Sequence, residues 1–211
     1  MKPGYSLLLA GILLLGSFLY LDFSQRNTTP CGSPAIIPVE EIAAAPALAA
    51  KAKEAAAFIR EKGMELRFCF LVDMQVRSGK KRFFVYDLQH NRVAAAGTVT
   101  HGRCNERWLE GRRYDNTPGC GCTSLGRYRI GARYNGRFGM AYKLHGLDSS
   151  NSNAFRRYVV LHAHACVPAE EVFTEICQSD GCPTVAPAFL QELKRYLDQA
   201  TAPVLLWMYH S

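Results

Sequence analysis

The chain has 211 residues, of which 48% are hydrophobic, and its 25 Lys and Arg against 18 Asp and Glu give a formal net charge of +7. This length and apolar content exclude wholesale disorder and permit one domain of ordinary size with additional segments. The basic residues are dispersed, which favours an anionic polymer such as cell wall or a lipid surface as partner. Because no nucleic-acid-binding motif accompanies the charge, we expect no nucleic-acid partner.

An almost unbroken apolar run occupies residues 6–23. About 18 residues at 1.5 Å each span roughly 27 Å, just enough to cross a bilayer core. A cleaved secretory signal should end in a small-x-small pattern, but this run ends in bulky and aromatic residues. We therefore predict a retained signal anchor (residues 1–23) in the inner, cytoplasmic membrane and a linker (24–41). The remainder is expected to be exported, facing the periplasm or the cell wall.

Residues 42–63 are rich in alanine and other good helix formers and predict a helix that ends at Gly63. Its apolar positions predict a structural role, in which one face packs on the domain that follows. That face comprises Leu48, Ala52, Ala55 and Ile59.

From residue 64 to residue 211 the sequence predicts a mainly β domain, a sandwich or barrel built of short strands. The segments 82–88 and 92–100 flank a turn and predict a β-hairpin. One convincing amphipathic helix is predicted over 189–200. The other predicted strands are 66–72, 128–131, 140–145, 158–162 and 204–209.

Eight cysteines suit an exported chain, in which some should pair. If Cys182 is a catalytic thiol and Cys31 belongs to the linker, fifteen pairings remain open among the other six. These six are Cys69, Cys104, Cys120, Cys122, Cys166 and Cys177. A zinc site built from His162, His164 and nearby cysteines is the minority alternative, because the spacing is not a common zinc pattern. We therefore expect no metal and no cofactor.

The segment 179–183, Ser-Asp-Gly-Cys-Pro, places the Cys182 thiol directly after a glycine in a polar turn. His162 ends the most apolar predicted strand, twenty positions upstream. A thiol that a nearby base can activate is what a cysteine acyl-transfer site requires. The alternative is a structural cysteine in a Gly-Pro turn.

Nine stretches in the same order resemble the murein L,D-transpeptidase catalytic domain family, of the YkuD type, across about residues 66–210. They include His101-Gly102, His145-Gly146 and the Ser179–Pro183 turn, each at or near the end of a predicted strand. The nine stretches are 70–74 with 78–79, 82–87, 99–102, 116–119, 123–128, 144–147, 151–154, 157–162 and 179–183.

The resemblance implies a β-rich fold, a cysteine nucleophile and peptidoglycan stem peptides as the substrate. Carried over to this chain, it makes Cys182 the nucleophile and His162 its base, oriented by the backbone carbonyl of Ala163. Backbone N–H groups around Gly181 and Cys182 would form the oxyanion hole, and Ser179 would brace the turn.

Two departures from the family pattern affect this assignment. Asp180 precedes the glycine and should raise the pKa of a neighbouring thiol. The interval between His162 and Cys182 is a few residues longer than usual, which makes His164 a rival base. His145 and Asn153 are substrate-side candidates, with structural roles as the alternative.

Attack on a thioester intermediate by an amine would make the enzyme a transpeptidase, whereas attack by water would make it an L,D-carboxypeptidase. A non-catalytic wall-binding module is the alternative from another class. We predict the transpeptidase. The sequence does not separate it from the carboxypeptidase, and it leaves open the acyl acceptor, the cleavage of the N-terminal segment and the oligomeric state.

Overall fold

The computed structural model describes residues 46–210. The predicted anchor at 1–23, the linker at 24–41 with Cys31, and the first residues of the predicted helix lie outside the described residues. No helix among residues 46–210 combines the length and the apolar character needed to span a bilayer.

The first described helix, α1, runs from Pro46 to Lys62. Its buried positions recur every three or four residues, so they form one stripe that packs on the sheet. Gly63 follows with φ of +61°, and the Met64 N–H donates to Ile59 O at 3.0 Å, which closes the last turn. The packing prediction is therefore confirmed: Leu48, Ala52, Ala55 and Ile59 are the buried residues.

Eight strands in the described part of the chain form a single sheet in the order β3-β2-β1-β8-β4-β5-β6-β7. The pairs β1–β8 and β6–β7 are parallel, and the other neighbours are antiparallel. The strands are β1 (Phe68–Asp73), β2 (Phe83–Asp87), β3 (Arg92–Gly97), β4 (Gly126–Gly136), β5 (Gly139–Gly146), β6 (Val160–Ala163), β7 (Thr184–Val185) and β8 (Leu205–Tyr209).

Both faces of the sheet are covered around β1. Phe68, Phe70 and Val72 belong to the larger apolar cluster, which also takes in the second helix, α2 (Pro187–Gln199). Cys69 and Leu71 alternate with them and belong to the cluster that α1 closes. Because successive side chains of a strand point to opposite faces, one short strand supplies both cores.

The mainly β prediction is confirmed, with one helix before the strands and one late amphipathic helix. The predicted hairpin over 82–88 and 92–100 is β2–β3, and the helix predicted over 189–200 begins two residues earlier, at Pro187. Strand β4 extends well beyond the predicted 128–131, because a tight hairpin at Gly136 and Gly139 keeps it paired with β5.

Candidate active site

Strand register aligns one row of side chains on a single face of the sheet. Tyr134 of β4 pairs with Ala141 of β5, Ala141 pairs with His162 of β6, and His162 pairs with Thr184 of β7. Leu161 lies between Val160 and His162 in β6, so its side chain points to the opposite face, into the larger core. The short strand β7 begins two residues after Cys182, so the parallel pairing places the cysteine turn beside the histidine strand.

Both ring nitrogens of His162 have partners. Nδ1 lies 3.1 Å from Ala163 O, and Nε2 lies 3.0 Å from Thr184 Oγ1. A neutral ring with its proton on Nδ1 satisfies both contacts, since Nδ1–H then donates to the carbonyl and Nε2 accepts from the hydroxyl. The Phe138 ring stacks on the imidazole at 4.7 Å, which leaves His162 only 5% exposed.

Burial lowers the pKa of His162 below its usual value, and the neighbouring His164 lowers it further. The Ala163 carbonyl acts in the opposite direction, because it accepts a hydrogen bond from the ring. The imidazole therefore remains neutral down to a lower pH than that of an ordinary histidine. In this neutral form it can accept a proton.

Ser179 organises the turn that carries the cysteine. Its Oγ donates to Cys182 O at 2.7 Å and accepts the Gly181 N–H at 3.1 Å. Gly181 has φ of +105°, and a Cβ there would lie 2.4 Å from Cys122 O, so only glycine fits the turn. Because its N–H is engaged by Ser179, Gly181 does not present that group to the cavity as the resemblance had implied.

The part-buried Cys182 thiol contacts backbone groups of the strand edge. Sγ lies 3.5 Å from the Val160 N–H and 3.8 Å from Tyr158 O. Burial raises the pKa of the Cys182 thiol and the Asp180 carboxylate adds to the rise, whereas the Val160 N–H and Arg157 oppose it. Within residues 46–210 no hydrogen bond joins this sulfur to His162, whose two nitrogens are bound elsewhere.

Thiol and imidazole nevertheless line the same cavity, of about 210 Å³. This cavity therefore brings together the two groups that the sequence singled out, together with Ser179 and the rival base His164. The other lining residues are Thr100, Arg103, Phe138, Cys166, Gln178, Asp180 and Thr184.

Among the described residues, none of the remaining candidates, His164, Asn153 and His145, makes a hydrogen bond to the Cys182 sulfur. His164 is exposed and lines the cavity, and its Nδ1 accepts the Cys166 N–H at 3.1 Å. Asn153 lies outside the cavity lining and donates from Nδ2 to Asn116 O at 3.1 Å, which joins two loops. His145 also lies outside the lining, and its ring stacks on Phe155 at 5.0 Å.

Two disulfides form in the described part of the chain, Cys104–Cys122 and Cys166–Cys177. The free cysteines there are Cys69, Cys120 and Cys182. The pairing removes Cys122 and Cys166 from the zinc alternative, and no three His, Cys, Asp or Glu side chains among residues 46–210 are placed to hold a metal ion.

Several site residues were not identified from sequence. Thr184 binds the His162 ring, and Phe138 covers it from the β4–β5 hairpin. Arg157 donates to Asp115 O at 2.9 Å and to Cys122 O, and its charge favours the Cys182 thiolate. Thr184 lies two residues after the candidate thiol Cys182, which was a usable signal. Arg157 begins the stretch 157–162 that resembles the family, but no role was assigned to it. Nothing in the local sequence identified Phe138, which the β4–β5 hairpin brings to the site.

Comparison with known sequences gives one family match. Residues 41–208 match the model of the L,D-transpeptidase catalytic domain family. A search of curated proteins found no match.

Solved structures with some similarity include an L,D-transpeptidase (residues 123–326) from Xylanimonas cellulosilytica, at 14% identity and a TM-score of 0.41, covering 67% of this chain and 60% of that one. An L,D-transpeptidase from Mycobacterium smegmatis has 11% identity and a TM-score of 0.39, covering 68% and 58%. The helical cell shape determining protein Pgp2 (K307A mutant) from Campylobacter jejuni has 12% identity and a TM-score of 0.45, covering 80% and 57%. In each case the chain spans less than two thirds of the length of the solved protein.

Proposed function

Because the chain belongs to the L,D-transpeptidase catalytic domain family, we propose that it is a peptidoglycan L,D-transpeptidase whose Cys182 forms a thioester with a stem peptide. The observation that carries the proposal is the shared cavity of Cys182 and His162. In that cavity the candidate thiol is free, whereas Cys166 is held in a disulfide.

The first step breaks the peptide bond after the third residue of the donor stem, a diamino acid. Cys182 Sγ attacks the carbonyl carbon, its proton passes to His162 Nε2, and the same proton then goes to the departing D-alanine amine. An amine of a second stem then attacks the thioester carbonyl and the C–S bond breaks. His162 takes the proton that this amine loses and returns it to the departing Cys182 sulfur. The cross-link is a new amide, so the cleaved amide supplies the energy.

For this chemistry Nε2 must exchange its resting partner for the thiol. The Thr184 hydroxyl has a second acceptor, Cys182 O at 3.4 Å, to which it can turn when substrate enters. The reaction also requires the Cys182 side chain to rotate away from the Val160 N–H and towards the ring, which lines the same cavity. We assign the Cys182 N–H as the oxyanion donor, a contribution of a few kcal/mol in enzymes of this chemistry.

The proposal includes export and anchoring by residues 6–23, with the catalytic domain at 64–211 facing the wall. The dispersed net charge of +7 supports an anionic polymer as partner. N-terminal sequencing of the mature protein from a membrane fraction tests this part, because a mature chain that starts near residue 24 would refute the anchor.

Incubation with purified stem tetrapeptides, followed by mass analysis, tests the reaction. We expect cross-linked dimers and released D-alanine from the parent protein and from Cys120→Ala, the matched control at another partly exposed free thiol. Cys182→Ala should give neither product. Stem tripeptides without dimers would indicate an L,D-carboxypeptidase, and turnover by Cys182→Ala at the parent rate would refute the nucleophile.

A further inference from the structure

A second cavity, of about 270 Å³, lies along the strand edge that the thiol contacts. It is lined by Tyr134, Lys143, Phe155, Tyr158, Val159 and Val160. None of these residues lines the His162 cavity, and Cys182 lines that cavity alone. The second cavity adjoins the sulfur through Tyr158 and Val160, whose backbone groups contact Cys182 Sγ.

Strand register determines how close this cavity lies to the Cys182 sulfur. Val160, whose N–H lies 3.5 Å from Cys182 Sγ, pairs directly with Lys143 across β5 and β6. Neighbouring strands are about 4.8 Å apart, and both side chains lie on the face that carries His162. Lys143 is therefore one strand away from the backbone group that holds the sulfur.

Lys143 is an uncompensated cation in this cavity. Its side chain is exposed, and it makes no salt bridge with any described residue, whereas Lys51, Lys80, Lys81 and Lys194 each have an acidic partner. Nζ lies 5.8 Å from the Tyr134 ring and 5.4 Å from the Phe155 ring. A cation beside aromatic walls suits a ligand with an apolar body and a carboxylate.

The backbone at Tyr158 is held in an unfavourable conformation at the mouth of the cavity. Tyr158 has φ of +57°, an uncommon value for an aromatic residue, and its side chain is 82% exposed. In this conformation its carbonyl lies 3.8 Å from Cys182 Sγ, and the residue lines the cavity. Strained residues of this kind concentrate where a ligand is bound.

The chemistry distinguishes the two sides of the sulfur. His162 gives its proton to the departing amine and takes one from the attacking amine, so both amines must occupy the His162 cavity. On the proposed mechanism this leaves the side of the sulfur next to Val160 and Lys143 for the acyl part of the donor stem.

We propose that the Lys143 cavity binds the acyl-donor stem peptide and that Lys143 recognises a free carboxylate on the glutamyl residue preceding the acylated one. This inference rests on the proposed function. It makes Lys143 a specificity determinant, which distinguishes stems with a free glutamyl α-carboxylate from stems in which that group is amidated.

The test compares two tetrapeptides that differ only in this carboxylate or carboxamide, with D-alanine release as the readout. The parent protein should prefer the free acid by about tenfold in kcat/KM, mainly through KM. Lys143→Met should abolish the preference and Lys143→Arg should keep most of it. Lys194→Met, which removes a paired lysine on α2, is the matched control and should behave as the parent.

Binding of the same two peptides to Cys182→Ala protein, measured by calorimetry, tests the inference without turnover. We expect about tenfold tighter binding of the free acid, and no difference once Lys143→Met is added. Equal affinities in Cys182→Ala, or a preference that survives Lys143→Met, would overturn the inference. Turnover of both peptides at equal rates would leave the transpeptidase proposal standing, whereas failure of the parent to process either peptide would count against that proposal alone.

Discussion

His162 Nε2 and Thr184 Oγ1 lie 3.0 Å apart across the parallel pair β6–β7, at a register position where both side chains are buried. Together with the contact between Nδ1 and Ala163 O at 3.1 Å, this bond engages both ring nitrogens. In the resting structure the proposed base, His162, therefore hydrogen-bonds to the Thr184 hydroxyl and not to the thiol.

Thr184→Val should leave the buried Nε2 without a partner. We expect a loss of about 1–3 kcal/mol in unfolding free energy, because a buried polar atom without a hydrogen bond carries its full desolvation cost. Thr184→Ser keeps the hydroxyl and should stay close to the parent. Denaturant unfolding measures the difference, and equal stability of Val and Ser variants would contradict the role of the bond.

The pH dependence of Cys182 alkylation should be that of a neutral thiol beside a neutral imidazole. Burial raises the pKa of the Cys182 thiol and lowers the pKa of His162, so no ion pair forms near pH 7. Iodoacetamide rates at this cysteine, followed by peptide mass analysis, should rise in one step with a midpoint above the ordinary value of about 8.5.

Charge variants should move that midpoint in opposite directions. Asp180→Asn removes a carboxylate that opposes the thiolate and should lower the midpoint, and Arg157→Met should raise it, each by less than about one pH unit. A rate that is already constant from pH 6 upwards would indicate a thiolate–imidazolium pair and refute the assignment of charges.

Gly181→Ala should disable the cysteine turn. The substitution forces a left-handed φ of +105° on alanine and places Cβ 2.4 Å from Cys122 O. We expect a loss of about 2–4 kcal/mol in unfolding free energy and no measurable acylation of Cys182.

Gly63→Ala is the matched control for Gly181→Ala. Gly63 also has a positive φ, but its Cβ would meet no atom within 4 Å. It should cost about 1 kcal/mol and leave acylation unchanged. Similar losses in the two variants would show that φ alone, and not the contact with Cys122, constrains Gly181.

Acid should destabilise the protein through Glu65. This buried carboxylate accepts from Arg67 Nε at 2.8 Å and from the Thr201 N–H at 2.9 Å, and the bond from Arg67 lowers its pKa from 4.5 to about 2. Because the pKa is depressed in the folded state, the stabilisation is complete above pH 4.5 and is lost as the pH falls towards 2.

Between pH 5 and pH 2 the unfolding free energy of Glu65→Gln should therefore fall by about 2 kcal/mol less than that of the parent. Glu110→Gln, which alters an exposed carboxylate without a salt bridge to any described residue, should follow the parent profile. A Glu65→Gln profile parallel to that of the parent would show that this carboxylate does not contribute.

Local patterns predicted those features that depend on neighbours in sequence. The apolar stripe of α1 identified its buried residues, and the Gly-Cys turn with a strand-end histidine identified the two groups that share a cavity. The Gly181 N–H was assigned to the oxyanion hole because a turn sequence does not show which acceptor its amide will meet. In the structure that acceptor is the side chain of Ser179.

The sequence by itself determined a mainly β domain, the choice of Cys182 and His162 as the candidate thiol and base, and the resemblance to a transpeptidase family. These follow from side-chain type, periodicity and short-range order. Only the tertiary structure decided which cysteines pair, that Thr184 and Phe138 enclose His162, and that Lys143 lies one strand from the sulfur-holding amide. Those relationships arise from strand register and loop packing between residues far apart in the chain, and no local pattern of residues encodes that register.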